Sequence, residues 1–296
     1  MIFSTNDVIR NRYVVISTLG RGASGTVYEV KDKTDETIKA AKCVRLNNGN
    51  DTASMTEIAI LNRLDLVDGV IKIHAYFALD GFFWTVTPVY EFDLADLVNN
   101  QTFSPALTCK VAVKLYRILQ EVHLYGVIHR DLKASNVMVK GPHENIQLVL
   151  IDFGMATRFK MPSGRRMSTM PAADYNYAGC DYSSVRLAQG LRASEVDDVY
   201  MVGYLILELR GLQPFSGATP QEMTNKKLAF HSDPSVVLNA SNHFLREPLN
   251  RICRQRADWT PDYKGIRTSF KRAVKYDVAA PLKLKEGQDG IVYLSF

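Results

Sequence analysis

Cysteine is scarce and scattered in this chain: Cys43, Cys109, Cys180 and Cys253 are its 4 cysteines, and no two form a metal-type pair. That spacing argues against a disulfide framework and fits reduced thiols, so a cytoplasmic or nuclear location is expected. Long apolar runs are also missing, and the first residues, MIFSTNDVIRNR, lack the basic region and apolar core of a secretory leader. No membrane partner is expected. Internal repeats and low-complexity linkers are absent too. The net charge of +5 is spread in pairs such as Arg165-Arg166 and Lys226-Lys227, and a solvated surface explains it as well as an anionic partner does, so direct nucleic-acid binding is not expected. What is present is ordinary globular material, 46% hydrophobic and 23% charged over 296 residues. That length allows one bilobed domain or two small ones.

Hydrophobic periodicity divides the chain. Alternation in Tyr13 to Leu19, Thr26 to Val30 and Thr37 to Val44 predicts an antiparallel meander, with KDKTD as the turn between the last two. Thr52 to Leu64 carries Met55, Ile58, Ala59, Leu61 and Leu64 at helical spacing, which predicts one helix among the strands. Phe82 to Val86 reads as another strand, ended by Pro88, which lacks a backbone donor. Beyond it helices dominate. Leu107 to Tyr125 has Val111, Leu115, Ile118, Leu119 and Val122 on one face, and Val199 to Leu209 is apolar enough to be buried. The boundary between a β-rich and a helical part is expected near residues 88 to 91.

The richest stretch chemically is HRDLKASN, residues 129 to 136, which follows the amphipathic helix. An acid, a cation and an amide at this spacing suit transfer of a phosphoryl group. Asp131 can orient a hydroxyl and accept its proton, Lys133 can neutralise charge on the moving phosphate, and Asn136 can give an oxygen to a metal ion. A solvated loop with the same letters is the bland alternative, because His-Arg-Asp alone is common.

Three further features supply what those side chains need. LGRGASGTVYEV contains Gly20, Gly22 and Gly25 followed by Val27, and glycines let a hairpin close over phosphates without a Cβ in the way. The glycine pattern alone is weak, since dinucleotide-binding folds share it; there the glycines open a helix, whereas β-type alternation follows here. Lys42, in IKAAKCV, can bind phosphate oxygens from the adjoining strand, with Glu57 in TEIAIL as counter-ion. An ion pair at about 4 Å is worth about 4 kcal/mol in Coulomb terms at an effective dielectric of about 20, before desolvation removes much of it. Its use is therefore positional. Lys39 is the rival for this role, expected on the same face. Finally, LIDFGMA places four apolar residues, Leu148 to Ile151, before Asp152, whose carboxylate would emerge at a strand end towards the glycine hairpin. Magnesium takes one or two protein carboxylates beside phosphate and water, so Asp152 with Asn136 suffices. Phe153 is expected to pack beneath the helix of Glu57, and Gly154 to let that packing change.

In this order and spacing the residues from about 13 to 272 resemble the eukaryotic protein kinase family. The resemblance implies an α+β, bilobal kinase-like fold: a small β-rich lobe with one helix (residues 1–88), a larger, mostly helical lobe (89–275) and a C-terminal extension (276–296). It implies ATP and Mg2+ as cofactors and protein substrates as partners. ATP would be held by Leu19, Gly20, Gly22, Gly25, Val27, Ala40, Lys42, Glu57, Thr87, Val89 and Met138, with Val27, Ala40 and Met138 sandwiching adenine. Thr87 would guard the pocket behind adenine and Val89 and Tyr90 form the hinge; Tyr90 competes with Thr87, since Asp93-Leu94 and Asp96-Leu97 both fit the start of the next helix. Asn136 and Asp152 would bind metal. His129, Arg130, Phe153, Gly154 and Asp198 would support the site, Asp198 by anchoring the loop from a buried helix. Lys133 is the residue serine/threonine kinases carry at this place.

Downstream, YSSVRLAQGLRASEVDDVYMVGY has no Ala-Pro-Glu and resembles the casein kinase 1 and vaccinia-related kinase group, as does ADWTPDYKGIRTSF with Pro261 at a helix start. Where that family has Gly-Thr, this chain reads Ala178-Gly179-Cys180. The threonine that bonds the catalytic aspartate and lysine is thus lost, or Cys180 replaces it. Ser163, Ser168, Thr169, Tyr175 and Tyr177, near Arg165-Arg166, are candidate phosphorylation sites that arginines, including Arg130, could pair. The leading expectation is a serine/threonine protein kinase. A pseudokinase scaffold is the second, and a small-molecule phosphotransferase the third. The compact catalytic region is similar to kinases of large DNA viruses, and the apolar end IVYLSF is expected to pack on the large lobe or on a partner.

Overall fold

Period-two patterning folds the first part of the chain into a sheet. Val8–Ile9 (β1), Tyr13–Gly22 (β2), Gly25–Asp32 (β3) and Ile38–Arg45 (β4) are followed by one helix, Thr52–Arg63 (α1), and then Ala75–Leu79 (β5) and Phe82–Pro88 (β6). The strands form a 6-stranded antiparallel sheet in the order β1-β2-β3-β4-β6-β5. The computed structural model describes residues 3–22, 25–46, 52–160, 177–217, 219–277, 279–288 and 290–296. It has two compact units, Met1–Leu66 with Val70–Glu91, and Val67–Gly69 with Phe92–Phe296.

Register decides which side chains share a face of the sheet. Val15 lies opposite Val30, Tyr28 opposite Ala41, Ala41 opposite Val86 and Cys43 opposite Trp84. All of these are buried in one cluster, which is the core of the unit. The alternate residues fall on the other face: Val27 opposite Lys42, Lys42 opposite Thr85, and Ala40 opposite Thr87. Lys39, opposite Val30, lies on the core face, and its amine reaches Asp32 at 2.6 Å and Asp35 at 2.5 Å. This corrects the expectation that Lys39 and Lys42 point the same way, because an odd offset along a strand reverses the side chain.

Two further expectations for this unit are adjusted. Helix α1 buries Ser54, Ile58, Ile60 and Leu61. Met55, assigned to its apolar stripe, is 50% exposed, and Ala59 is exposed as well. Pro88 remains the last residue of β6, opposite Lys39.

The second unit is mostly helical: Leu94–Asn100 (α2), Pro105–Leu124 (α3), the short strands Val127–Ile128 (β7), Val137–Lys140 (β8), Gln147–Leu150 (β9) and Thr157–Arg158 (β10), then Val185–Ala188 (α4), Glu195–Leu209 (α5), Pro220–Ser232 (α6), Arg246–Cys253 (α7) and Tyr263–Ala273 (α8), and a closing hairpin, Lys283–Glu286 (β11) and Val292–Ser295 (β12). Caps set the helix ends. Asp93 caps α2 in a reciprocal box with Asp96, which settles the two competing helix starts in favour of Asp93-Leu94. Ser194 and Asp197 form the same box for α5, so that helix begins before the expected Val199. Asp262, directly after Pro261, caps α8 and accepts a bond from Gly265 N–H at 2.8 Å. β12 packs on α2, where Asn100 and Gln101 donate to the carbonyls of Val292 and Leu294 at 2.8 and 3.0 Å. Ser163, Ser168, Thr169, Tyr175 and the Arg165-Arg166 pair lie outside the described residues.

Candidate active site

Strand β7 delivers the chain into His129–Lys133, and a 3-10 turn, Ala134–Asn136, leads out into β8. β8 and β9 pair antiparallel, with Val137 opposite Leu150, and Ile151 N–H donates to Asn136 O at 3.0 Å. The hairpin therefore brings Asn136 beside the residues that precede Asp152. The buried strand ends at Leu150, one residue earlier than the apolar run indicated, and Ile151 acts as the connector.

Two side chains converge on Asp131. Its Oδ2 accepts from Lys133 Nζ at 2.9 Å and from Asn136 Nδ2 at 2.9 Å, and Asn136 Nδ2 also donates to Asp131 O at 2.8 Å. With Oδ2 occupied, Oδ1 is the oxygen positioned to accept from a hydroxyl. Burial alone would lower the Lys133 pKa, but the hydrogen bond and charge of Asp131 outweigh it and hold the pKa above its ordinary value. Lys133 stays cationic at neutral pH.

The backbone of this loop is fixed from beneath. Asp198, fully buried in the first turn of α5, accepts from the amides of His129 and Arg130 at 2.7 and 2.8 Å and from His123 Nε2 at 2.8 Å. Burial penalises its charge, yet the bond and charge of His123, the charge of His129 and the backbone bond from His129 hold its pKa below the ordinary carboxylate value. His123 Nδ1 meets Tyr263 Oη, so Nε2 carries the proton given to Asp198. His129 Nε2 donates to Ile151 O at 3.0 Å, and its ring lies 4.5 Å from that of Phe153, which is buried. Arg130 and Asp152 both have left-handed backbones, with φ of 70° and 57°. Such conformations cost about 1–3 kcal/mol each and persist where the surroundings over-determine them. For Arg130 the surroundings include a bond from its Nε to Met155 O.

In the first unit, Lys42 Nζ reaches Glu57 Oε2 at 3.2 Å and Oε1 at 3.4 Å, with the two side chains 20% and 12% exposed. Val27, Ala40, Lys42 and Thr87 share one face of the sheet, and Thr85 belongs to the same row. Thr87 lies within β6 and Tyr90 beyond it. The glycines differ. Among the described residues a Cβ on Gly20 or Gly22 would meet nothing within 4 Å, whereas at Gly25, with φ of +117°, it would lie 2.4 Å from Cys43 O.

Sequence reasoning missed several contributors. His123 and Tyr263 were hidden in helical stripes, and only the burial of two titratable groups beside Asp198 reveals them. Ser184, which donates to Asp197 Oδ1 at 2.6 Å, and Arg186, paired with the same oxygen at 3.3 Å, tie down the segment where Ala-Pro-Glu is missing. Tyr177 is corrected as a phosphorylation candidate: it is buried with Ile128, Phe159, Leu187 and Ala193. Among the described residues no bond joins Cys180 to Lys133, which donates to Asp131 itself.

A β-rich unit with one described helix and a helical unit carrying this loop define a kinase-type α+β fold. The chain belongs to the protein kinase domain family, whose model matches residues 13–259. It is similar to a probable serine/threonine-protein kinase of Dictyostelium discoideum, 24% identical over 247 residues that cover 82% of this chain and 50% of that protein. A probable casein kinase I homolog of Encephalitozoon cuniculi is 26% identical over 200 residues, 67% of this chain and 62% of that protein. A probable serine/threonine-protein kinase PknB of Lactococcus lactis is 25% identical over 300 residues, 97% of this chain and 44% of that protein. The chain spans between 44% and 62% of the length of these relatives.

Proposed function

We propose that this chain is a serine/threonine protein kinase that transfers the γ-phosphoryl group of ATP to protein hydroxyls. The observation that carries this reading is the Asp131 carboxylate, held at one oxygen by Lys133 and Asn136 and left with the other for a substrate hydroxyl. Asp131 orients that hydroxyl and takes its proton, while Lys133 offsets negative charge on the phosphoryl group in flight. Lys42, braced by Glu57, and the sheet face of Val27 and Ala40 suit the phosphates and base of the nucleotide.

The donor set fits magnesium. Asn136 commits its amide nitrogen to Asp131, so its Oδ1 is the atom that meets a cation, and Asp152 supplies a carboxylate. Magnesium takes one or two protein carboxylates beside phosphate and water oxygens, which these two residues suit. A magnesium ion bound there would neutralise charge on the phosphates. Among the described residues no helix is long and apolar enough to cross a membrane. The 4 cysteines are free, in keeping with an intracellular place of action.

Within the family we place the chain nearest the casein kinase 1 and vaccinia-related kinases, on Ser183-Ser184-Val185 in place of Ala-Pro-Glu and on the casein kinase I homolog among its relatives. The pseudokinase alternative is favoured by Gly179, which has no side chain to bridge Asp131 and Lys133. Radiolabelled phosphate transfer to casein and to the chain itself, with Asp131→Asn as the control, separates the two. Incorporation by wild type alone supports the kinase; equal signals from both proteins exclude it.

A further inference from the structure

Lys227 is a lysine with a buried amine that the chemistry described so far does not use. It lies on α6, is 1% exposed, and donates from Nζ to Cys180 O at 2.6 Å and to Ser183 Oγ at 3.2 Å. The rings of Tyr204 and Phe215 lie 5.8 and 6.0 Å from the same nitrogen. Taking an ammonium group out of water costs several kcal/mol, and an apolar side chain of equal length would fill the same space without that penalty. The charge is directed at one target, the turn after Tyr177. There Cys180 N donates to Tyr177 O at 3.2 Å, and Ser183 N and Oγ donate to Cys180 O at 3.2 and 2.9 Å. Cys180 O thus collects the turn's own donors together with Lys227.

The same turn lacks the side chain that the resembled kinases use to fasten it to the catalytic aspartate and lysine. Gly179 stands there with φ of +79°, and a Cβ built on it would meet Pro220 Cγ of α6 at 3.2 Å. A threonine would suffer in both backbone and contact. Helix α6 therefore reaches the turn at two points, through Pro220 at its start and through Lys227 near its middle.

We propose that Lys227 is a positioning residue for the segment Tyr177–Ser184, holding in place, from α6, the stretch that presents the protein substrate. The proposal rests on the kinase reading above. Lys227 is bonded to Cys180 and Ser183 and not to Asp131, Lys133 or Asn136, so its loss is expected to fall on the substrate.

Steady-state kinetics and hydrogen–deuterium exchange of wild type, Lys227→Met and Ser183→Ala test it together. Met keeps the length and removes the donors; Ser183→Ala removes one acceptor and leaves Cys180 O, so its effect is smaller in the same direction. The expected result for Lys227→Met is a rise of about tenfold in KM for a peptide substrate, the size of one lost charged hydrogen bond, with KM for ATP unchanged. Amides of Cys180–Ser184 should also exchange faster, with the rest of the helical unit as protected as in wild type. Equal protection of that segment in both proteins, or equal rises in KM for peptide and for ATP, overturns the proposal. If the wild type transfers no phosphate, the kinase reading fails, and the exchange comparison still decides what Lys227 holds. Should Lys227→Met not fold, the same measurements on Ser183→Ala decide.

Discussion

Asp198 accepts a hydrogen bond from the amide of His129 at 2.7 Å, and its second oxygen takes the amide of Arg130 at 2.8 Å. A buried charge in the first turn of α5 therefore shapes the loop that carries Asp131. In Asp198→Asn one of those amides would face an amide nitrogen instead of an oxygen. The expected outcome is a loss of about 3 kcal/mol of stability in urea denaturation, the usual cost of breaking a buried charged network, with phosphate transfer close to background. Retention of full turnover would show that the loop holds its shape without the carboxylate.

Lys42 and Glu57 should act as a pair. Lys42→Met is expected to lower kcat/KM by about a hundredfold or more, as loss of a charge aimed at phosphate does elsewhere. Glu57→Gln should cost less. In a double-mutant cycle their coupling should fall at about 0.5–3 kcal/mol, the range for residues in contact. Simple additivity would mean that Glu57 does not brace Lys42 in the working enzyme.

Asn136→Ala removes both a bond to Asp131 and the oxygen assigned to the cation. The half-maximal magnesium concentration for phosphate transfer should rise by about tenfold, the scale of losing a supporting group at a metal site. An unchanged magnesium requirement would leave Asn136 as a loop brace only.

Asp32 links stability to acid. It accepts from Arg12 Nε and Nη2 at 2.8 and 2.7 Å and from Lys39 at 2.6 Å, and these bonds, led by that from Arg12, hold its pKa well below the ordinary 3.8. A depressed carboxylate stabilises the folded state above its unfolded pKa, and that contribution is lost as pH falls through the folded value. Wild type should therefore exceed Asp32→Asn in stability at about pH 7 and lose much of the margin by about pH 2.5. Urea titrations at both values check this; a margin that does not shrink in acid contradicts it.

Lys227 gives the same sign of pH dependence in an alkaline window, there by relief of a destabilising charge. Burial draws its pKa from 10.5 down to about 8, so between those values the unfolded chain binds more protons than the folded one. Stability then rises with pH across that window. The Tm of wild type relative to Lys227→Met should shift in favour of wild type between about pH 7 and about pH 9.5. A difference that is flat with pH would show that the amine titrates normally.

Sequence patterning made β2, β3, β4 and β6 of the sheet legible, with α1, α3 and α5, because each carries a periodic apolar stripe, whereas β1 and β5 were not anticipated. Asp131, Lys133, Asn136 and Asp152 were legible because their residue types and spacing demand one another chemically. What failed did so for identifiable reasons. Lys39 and Lys42 read alike as letters, and only the strand register puts them on opposite faces. Met55 satisfied the helical period of α1, yet the buried stripe is turned towards Ser54 and Ile60. His123, Tyr263 and Lys227 lie far from the motif in sequence, and nothing local distinguishes them from ordinary helix residues until tertiary contacts bury them.

The glycine hairpin holds two kinds of constraint under one motif. Gly20 and Gly22 have open space where a side chain would begin, so the fold would accept alanine there and any intolerance must come from the ligand. Gly25 is bound by its own sheet: a methyl group would push β3 away from Cys43 O and shift Val27 and Lys42, which lie directly along the same ladder. A substitution at either of the first two glycines thus reads out what the hairpin covers, while one at the third reads out how the strands beneath it are stacked.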